Sequence, residues 1–124
     1  MKSLNETGLY IAGPMQGYED FNFASFDAAE DFFKDSGMFD RIGNPANWDR
    51  EEYGSGSNLS PDGDIKQYAK DFGFCMRTAL KKDLSWIATY ATHIYMLKGW
   101  ELSKGAKAEH ALAVALGLEI MYEC

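Results

Sequence analysis

The chain has 124 residues, 46% hydrophobic and 15% aromatic, which fits a single core-forming domain over 1–124 and excludes a disordered tail. Twelve Lys and Arg against nineteen Asp and Glu leave a formal net charge of -7. No nucleic-acid polymer is therefore expected as partner, because a basic face that neutralises phosphates supplies most of that affinity; a small anion held by backbone N–H groups at a helix start stays compatible with the charge.

Gly8-Leu9-Tyr10-Ile11-Ala12 is a short apolar run ending at Gly13-Pro14, and reads as a buried strand followed by a loop. From Asp20 to Lys34, Phe23, Phe26, Ala29, Phe32 and Phe33 recur at helical spacing, which predicts an amphipathic helix stopped at Ser36-Gly37. Met38 to Gly43 is a weaker strand candidate, closed by Asn44-Pro45. Residues 46–68 are rich in Gly, Ser, Asn and Asp and read as a long irregular loop, which in a small domain is either functional or mobile. Helical periodicity resumes from Asp71 to Ala88. Thr92 to Leu97 reads as a strand and Lys98 to Ser103 as a loop. Lys104 to Leu116 is an Ala-rich helix stopped by Gly117, and Leu118 to Tyr122 is a last strand.

This alternation predicts an α/β fold: a small doubly wound, flavodoxin-like parallel sheet of about four strands with helices on both faces. Such sheets bind ligands beyond the carboxyl ends of their strands. The loops after Ala12, Gly43 and Leu97 are the places to look. No run approaches the ~20 apolar residues of a membrane span, and the first residues lack the apolar stretch of a signal peptide. A cytoplasmic protein without a membrane partner is the expectation. Cys75 and Cys124 lie in no CxxC or Cys/His cluster, so no metal site and no cofactor are expected, and two free thiols fit a reducing compartment.

Three segments carry polar groups near the predicted strand ends. The first is Tyr10 to Gly17, where Gly13 either makes a plain turn or lets a ligand approach the backbone. It is not a GxGxxG fingerprint and predicts no dinucleotide. The second holds Asp83, beside the apolar stripe of its helix; spacing alone favours a solvated aspartate paired with Lys82 or another nearby lysine. The third runs from Gly99 to Ala111. Ser103 is suited to cap the helix that follows, and Gly105 and Ala106 leave room for a ligand at its first turn. Glu109 sits among Ala106, Ala108, Ala111, Leu112 and Ala113. It either faces water beside Lys107 or faces a cavity, since a carboxylate in apolar surroundings is costly without a partner. His93 reads as a packed strand residue. His110 points about 100° around the helix from Glu109, so the two make no ready dyad.

Taken together and in order, Tyr10 to Met15, Asn22, Phe26, Asn44-Pro45, Arg77, Leu80, Asp83, Gly99-Trp100-Glu101, Ser103 to Ala106 and Glu109 resemble the DUF4406 family. That family is frequent in phages and is placed with the nucleoside 2-deoxyribosyltransferases. The resemblance runs from Leu9 to Tyr122 and is weakest over 46–68. It implies that Glu109 is a nucleophile, Asp83 the partner carboxyl and Tyr10 the residue that orients Glu109. It further implies a substrate-binding role for Gly13, Pro14, Met15, Asn22, Asn44, Arg77, Gly99, Ser103 and Gly105. Transferases acting on free nucleosides carry an aspartate six residues before the glutamate. Here that position is Ser103, as in deoxynucleoside monophosphate N-glycosidases, and the stretch Asp83-Leu84-Ser85-Trp86 is similar to theirs.

The function implied is cleavage or transfer at the N-glycosidic bond of a deoxynucleotide or deoxynucleoside, a small-molecule partner. The alternative is a catalytically silent nucleotide-binding or sequestering protein on the same fold. A third reading, an acidic protein that blocks a host factor, uses only the charge. Relatives assemble as oligomers, so a homo-oligomer is expected, and the aromatic residues Phe21, Trp48, Tyr53 and Trp100 are compatible either with an interface or with a core.

Overall fold

The computed structural model describes residues 6–53 and 63–124. Strand β1 (Gly8–Ala12) is buried along its whole length, as its unbroken apolar run requires. It lies between β2 (Arg41–Gly43) and β3 (His93–Met96), and β4 (Glu119–Tyr122) follows on the far side of β3, giving the order β2-β1-β3-β4 with every pair parallel. This is the doubly wound α/β sheet expected from the alternation of elements.

Alternation along β1 divides the interior in two. Ile11 joins Phe23, Phe26 and Ala29 of helix α1 (Phe23–Ser36) on one face of the sheet. Tyr10 and Ala12 point to the other face, where they meet Ile94, Met96, Ile87 of helix α4 (Met76–Tyr90), and Ala106 and Ala113 of helix α5 (Lys104–Leu116). The chain thus passes from one face of the sheet to the other between β2 and β3. Neighbouring β1 and β3 lead into connections on opposite faces, which leaves a crevice beyond their carboxyl ends.

The region expected as one long loop over 46–68 is helical at both ends. Helix α2 spans Pro45–Tyr53 and helix α3 spans Ile65–Phe72. Asn44 starts α2, its Oδ1 accepting from the Ala46 N–H at 3.0 Å ahead of Pro45, a residue suited to the first helical position. Asp64 starts α3 by accepting from the Lys66 and Gln67 N–H groups. Residues 54–62, the most Gly- and Ser-rich part of the expected loop, lie outside the described residues.

The helix expected from Asp71 to Ala88 is two helices. Gly73, at φ 74°, ends α3, and α4 begins at Met76; between them Phe74 turns into the α1-side core. The 98–103 connection contains a 3-10 turn at Trp100–Leu102. Helix α5 has the predicted bounds, with Ser103 Oγ accepting from the Ala106 N–H at 3.1 Å and Gly117 in the left-handed region at its end.

Of the aromatic residues that left interface or core open, Phe21 is buried in the α1-side core. Trp48 packs with Trp86 against Tyr10, with ring centroids 5.8–6.1 Å apart, and Trp100 stacks on His110 at 4.3 Å. The Tyr53 side chain lies outside what is described. Gly43 at the end of β2 runs against the Trp86 ring so closely that a Cβ there would stand 2.9 Å from a ring carbon.

Candidate functional site

Three helices and one strand each bring one polar side chain to the crevice. On α5 the buried residues are Ala106, Glu109 and Ala113, a stripe at spacings of three and four. Glu109 therefore belongs to the face that packs on the sheet and is only 5% exposed. On α4, Asp83 falls midway between buried Ala79 and Ile87, on the stripe itself rather than beside it. On α2, Asp49 lies one turn beyond buried Pro45. From β1, Tyr10 is wholly buried and its hydroxyl donates to Glu109 Oε2 at 2.7 Å.

These groups are electrostatically linked. Burial pushes the Glu109 carboxyl well above its ordinary value, and the nearby Asp83 charge raises it further, while the Tyr10 hydrogen bond works the other way. Asp83 is raised to about 6, chiefly by burial, against hydrogen bonds to Glu109 and Tyr10 that lower it. Asp49 is raised to about 7, by burial first and then by Asp83. Tyr10 is raised by burial and by the carboxylates around it, so it remains a donor. Glu109 and Asp83 stand close enough on the cavity wall for the charge of one to act on the other, and like charges so close do not both ionise. They behave as a pair holding one proton between them, bound more firmly on the deeper Glu109.

The carboxyls line a cavity of about 660 Å³, within the range of small-molecule sites. Gly13, Pro14 and Met15 after β1 form part of its wall, Ser103 and Gly105 at the start of α5 another part, and Phe21, Phe23, Phe26 and Phe74 an apolar side. Of the other residues singled out from sequence, Tyr10 reaches the site through Glu109.

Asn22, Asn44, Arg77 and Gly99 do not line the cavity. Asn22 donates to the Pro14 carbonyl at 3.0 Å and so fixes the loop after β1. Asn44 is buried, with its Nδ2 donating to Asp27 and Glu30 at 3.0 and 2.9 Å. Arg77 is exposed on the first turn of α4, away from the stripe that carries Asp83. Gly99, at φ 88°, packs under Tyr18, and a Cβ there would lie 2.6 Å from the Tyr18 hydroxyl. His110 bonds to the Tyr122 hydroxyl at 2.9 Å and stacks on Trp100, pointing away from Glu109. Among the described residues, no group of His, Cys, Asp and Glu is arranged to hold a metal ion, and no helix is long and apolar enough to cross a membrane.

Asp49 is the lining carboxyl that sequence reasoning missed. It lay inside the expected loop, although Asn44-Pro45 is a helix start and Asn47 and Glu51, which hydrogen-bond at 2.9 Å, stand at helical spacing.

Fold and site together define a doubly wound α/β domain with a carboxyl-lined cavity at the switch point of its sheet. The chain matches the family described as Domain of unknown function (DUF4406) over residues 7–122 and belongs to that family. Searches of curated proteins and of solved structures return no match.

The raised carboxyls set a pH dependence of stability. Asp49 titrates from an ordinary 3.8 when unfolded and near 7 when folded. Between those values the folded chain keeps a proton that the unfolded chain has released, so stability falls as pH rises through this window and is greatest on its acid side. Asp49→Asn removes that share. In urea unfolding the variant is expected to be more stable than the parent by a few kcal/mol at about pH 7.5 and nearly equal to it at about pH 4. An equal difference at both pH values would show that Asp49 is not held protonated by the fold.

Proposed function

We propose that this chain is an enzyme of nucleotide metabolism that cleaves or transfers at the N-glycosidic bond of a deoxynucleotide or deoxynucleoside, with Glu109 as the nucleophile. The observation that carries this reading is buried Glu109, held by the Tyr10 hydroxyl at 2.7 Å, with half-buried Asp83 beside it, both opening on a cavity of nucleotide size. The likeness of these residues to those of nucleoside 2-deoxyribosyltransferase-like proteins supports it. The transition state of such a reaction carries positive charge on the sugar and electrons on the departing base.

The pair supplies what both ends need. As positive charge grows at the anomeric carbon, Glu109 gains by being ionised, and its proton passes to the neighbouring Asp83 carboxylate. Asp83 then gives that proton to the leaving base as the C1′–N bond breaks and its electron pair departs with the base. A Glu109 oxygen bonds to the anomeric carbon, forming a glycosyl-enzyme. Water or a second base releases the sugar, which separates hydrolysis from transfer. Tyr10 keeps Glu109 aimed throughout. Ser103 and Gly105, at the α5 start, suit a substrate phosphate: the helix presents its first N–H groups there, and Lys104 also lines the cavity.

The reading includes a cytoplasmic setting, in a phage host if the chain is phage-encoded, and a homo-oligomer. Leu102, 86% exposed on the cavity rim, supports a second copy covering that edge. Sedimentation at micromolar concentration should then give a species heavier than the monomer; a monomer removes this part of the reading.

Incubation with each deoxynucleoside and its monophosphate, followed by chromatography, tests the chemistry. Free base is expected from the parent. Glu109→Ala should lose on the order of 10³-fold or more, and Tyr10→Phe about ten- to a hundredfold, the worth of one hydrogen bond to a charged group. Tight binding without base release in the parent would instead mark a protein that holds nucleotides without acting on them.

A further inference from the structure

Asp49 takes no part in the proton hand-over, yet it lines the same cavity. Its neighbours on α2 are tied down. Asn47 bonds to Glu51, and Arg50 grips Asp27 with two hydrogen bonds at 2.8 and 2.9 Å. The Asp49 carboxyl has no hydrogen bond or ion pair with any described residue. The charges that face it are Asp83 on α4, Glu52 on its own helix and Lys82. Lys82 is engaged elsewhere, 4.0 Å from Glu52 and over the Trp48 ring. A half-buried carboxyl left unpaired at a cavity wall is poised for a ligand.

Its place along the cavity indicates which part of a ligand it meets. Asp83 is carried by α4, which packs on α5 and also meets α2 through Trp86 against Trp48 and Lys82 near Glu52. Asp83 of the middle helix thus stands between Glu109 on α5 and Asp49 on α2. On the glycosidic reading, on which this inference rests, Glu109 meets the sugar and Asp83 the departing nitrogen. The third carboxyl then meets the base beyond it.

We propose that Asp49 is a specificity-determining residue that reads the edge of the nucleobase and selects bases carrying an exocyclic amino group beside an unprotonated ring nitrogen, the edge shared by adenine and cytosine. A neutral carboxyl offers one O–H donor and one acceptor oxygen. The base amino group donates to the oxygen, and the ring nitrogen accepts from the O–H. Burial favours the neutral form, holding Asp49 at about 7. The ring nitrogen lone pair is a better acceptor for the carboxyl O–H than a carbonyl oxygen is, which strengthens that bond. The carbonyl and N–H edge of thymine pairs with the same carboxyl but offers the O–H only a carbonyl oxygen, so the stronger bond is lost.

The test measures calorimetric binding and base release for the 5′-monophosphates of deoxyadenosine, deoxycytidine and thymidine. The parent should bind the first two about tenfold or more tighter than the third. Asp49→Asn, which keeps a donor and an acceptor, should retain part of that preference. Asp49→Ala should bring all three within about threefold of one another. Preference for thymidine by the parent, which needs no substitution to measure, overturns the assignment, as does a parent-like preference in Asp49→Ala. Preference without base release defeats the glycosidic reading and leaves Asp49 as the base reader. Base release without preference does the reverse, and binding of none of the three defeats both.

Discussion

The Tyr10 hydroxyl meets Glu109 Oε2 at 2.7 Å in the middle of an apolar interior, and the arrangement of the domain follows from what that contact requires. A carboxyl as buried as Glu109 is costly unless it is hydrogen-bonded or holds its proton. Tyr10 supplies the hydrogen bond from the central strand. Asp83 supplies a second carboxyl with which the proton is shared. Neither partner works alone. Tyr10 can only donate to Glu109 while the carboxyl has a free acceptor oxygen, and the paired acids can only avoid mutual repulsion while one of them is neutral.

The sheet makes this meeting possible. Because β1 is flanked by β2 and β3 and all strands run the same way, their carboxyl ends open together. Tyr10 faces α4 and α5, so residues on the inner stripes of those helices converge on it. Trp48 and Trp86 close around the Tyr10 ring and limit water there. A second set of contacts holds the other wall: the Arg50–Asp27 pair and the Asn44 bonds to Asp27 and Glu30 fasten α2 to α1. That brace, well away from Glu109, keeps Asp49 at the cavity.

Much of this was legible in the amino-acid order, for physical reasons that differ by element. The Gly8–Ala12 run and the Ala-rich α5 with its Ser103 cap and Gly117 stop declare themselves, because burial on all sides and helix-end chemistry leave local marks. The doubly wound sheet follows from the order of elements. The helices at the two ends of 46–68 are not legible because the glycines and serines of the segment's middle dominate its composition and hide the start of α2 at Asn44-Pro45. The break at Gly73 was lost because apolar residues resume on either side of it. Asp83 seemed a surface residue next to Lys81 and Lys82, although Ala79 and Ile87, one turn away on each side, mark its face as inward. Asn22 and Asn44 hold loops and helices, Gly99 packs under Tyr18 and Arg77 stays in solvent. These are placements that depend on contacts far away in sequence, which local pattern does not reveal.

The claim at the centre, that Glu109 and Asp83 hold one proton in common under the Tyr10 hydroxyl, is most directly tested by carbon-13 carboxyl NMR titration of the protein and of its Asp83→Asn variant. In the parent, the Glu109 carboxyl should titrate well above its ordinary 4.5, and in the variant, freed of the neighbouring charge, at a lower pH than in the parent. A Glu109 resonance that titrates near 4.5 and ignores the substitution at Asp83 would contradict the account.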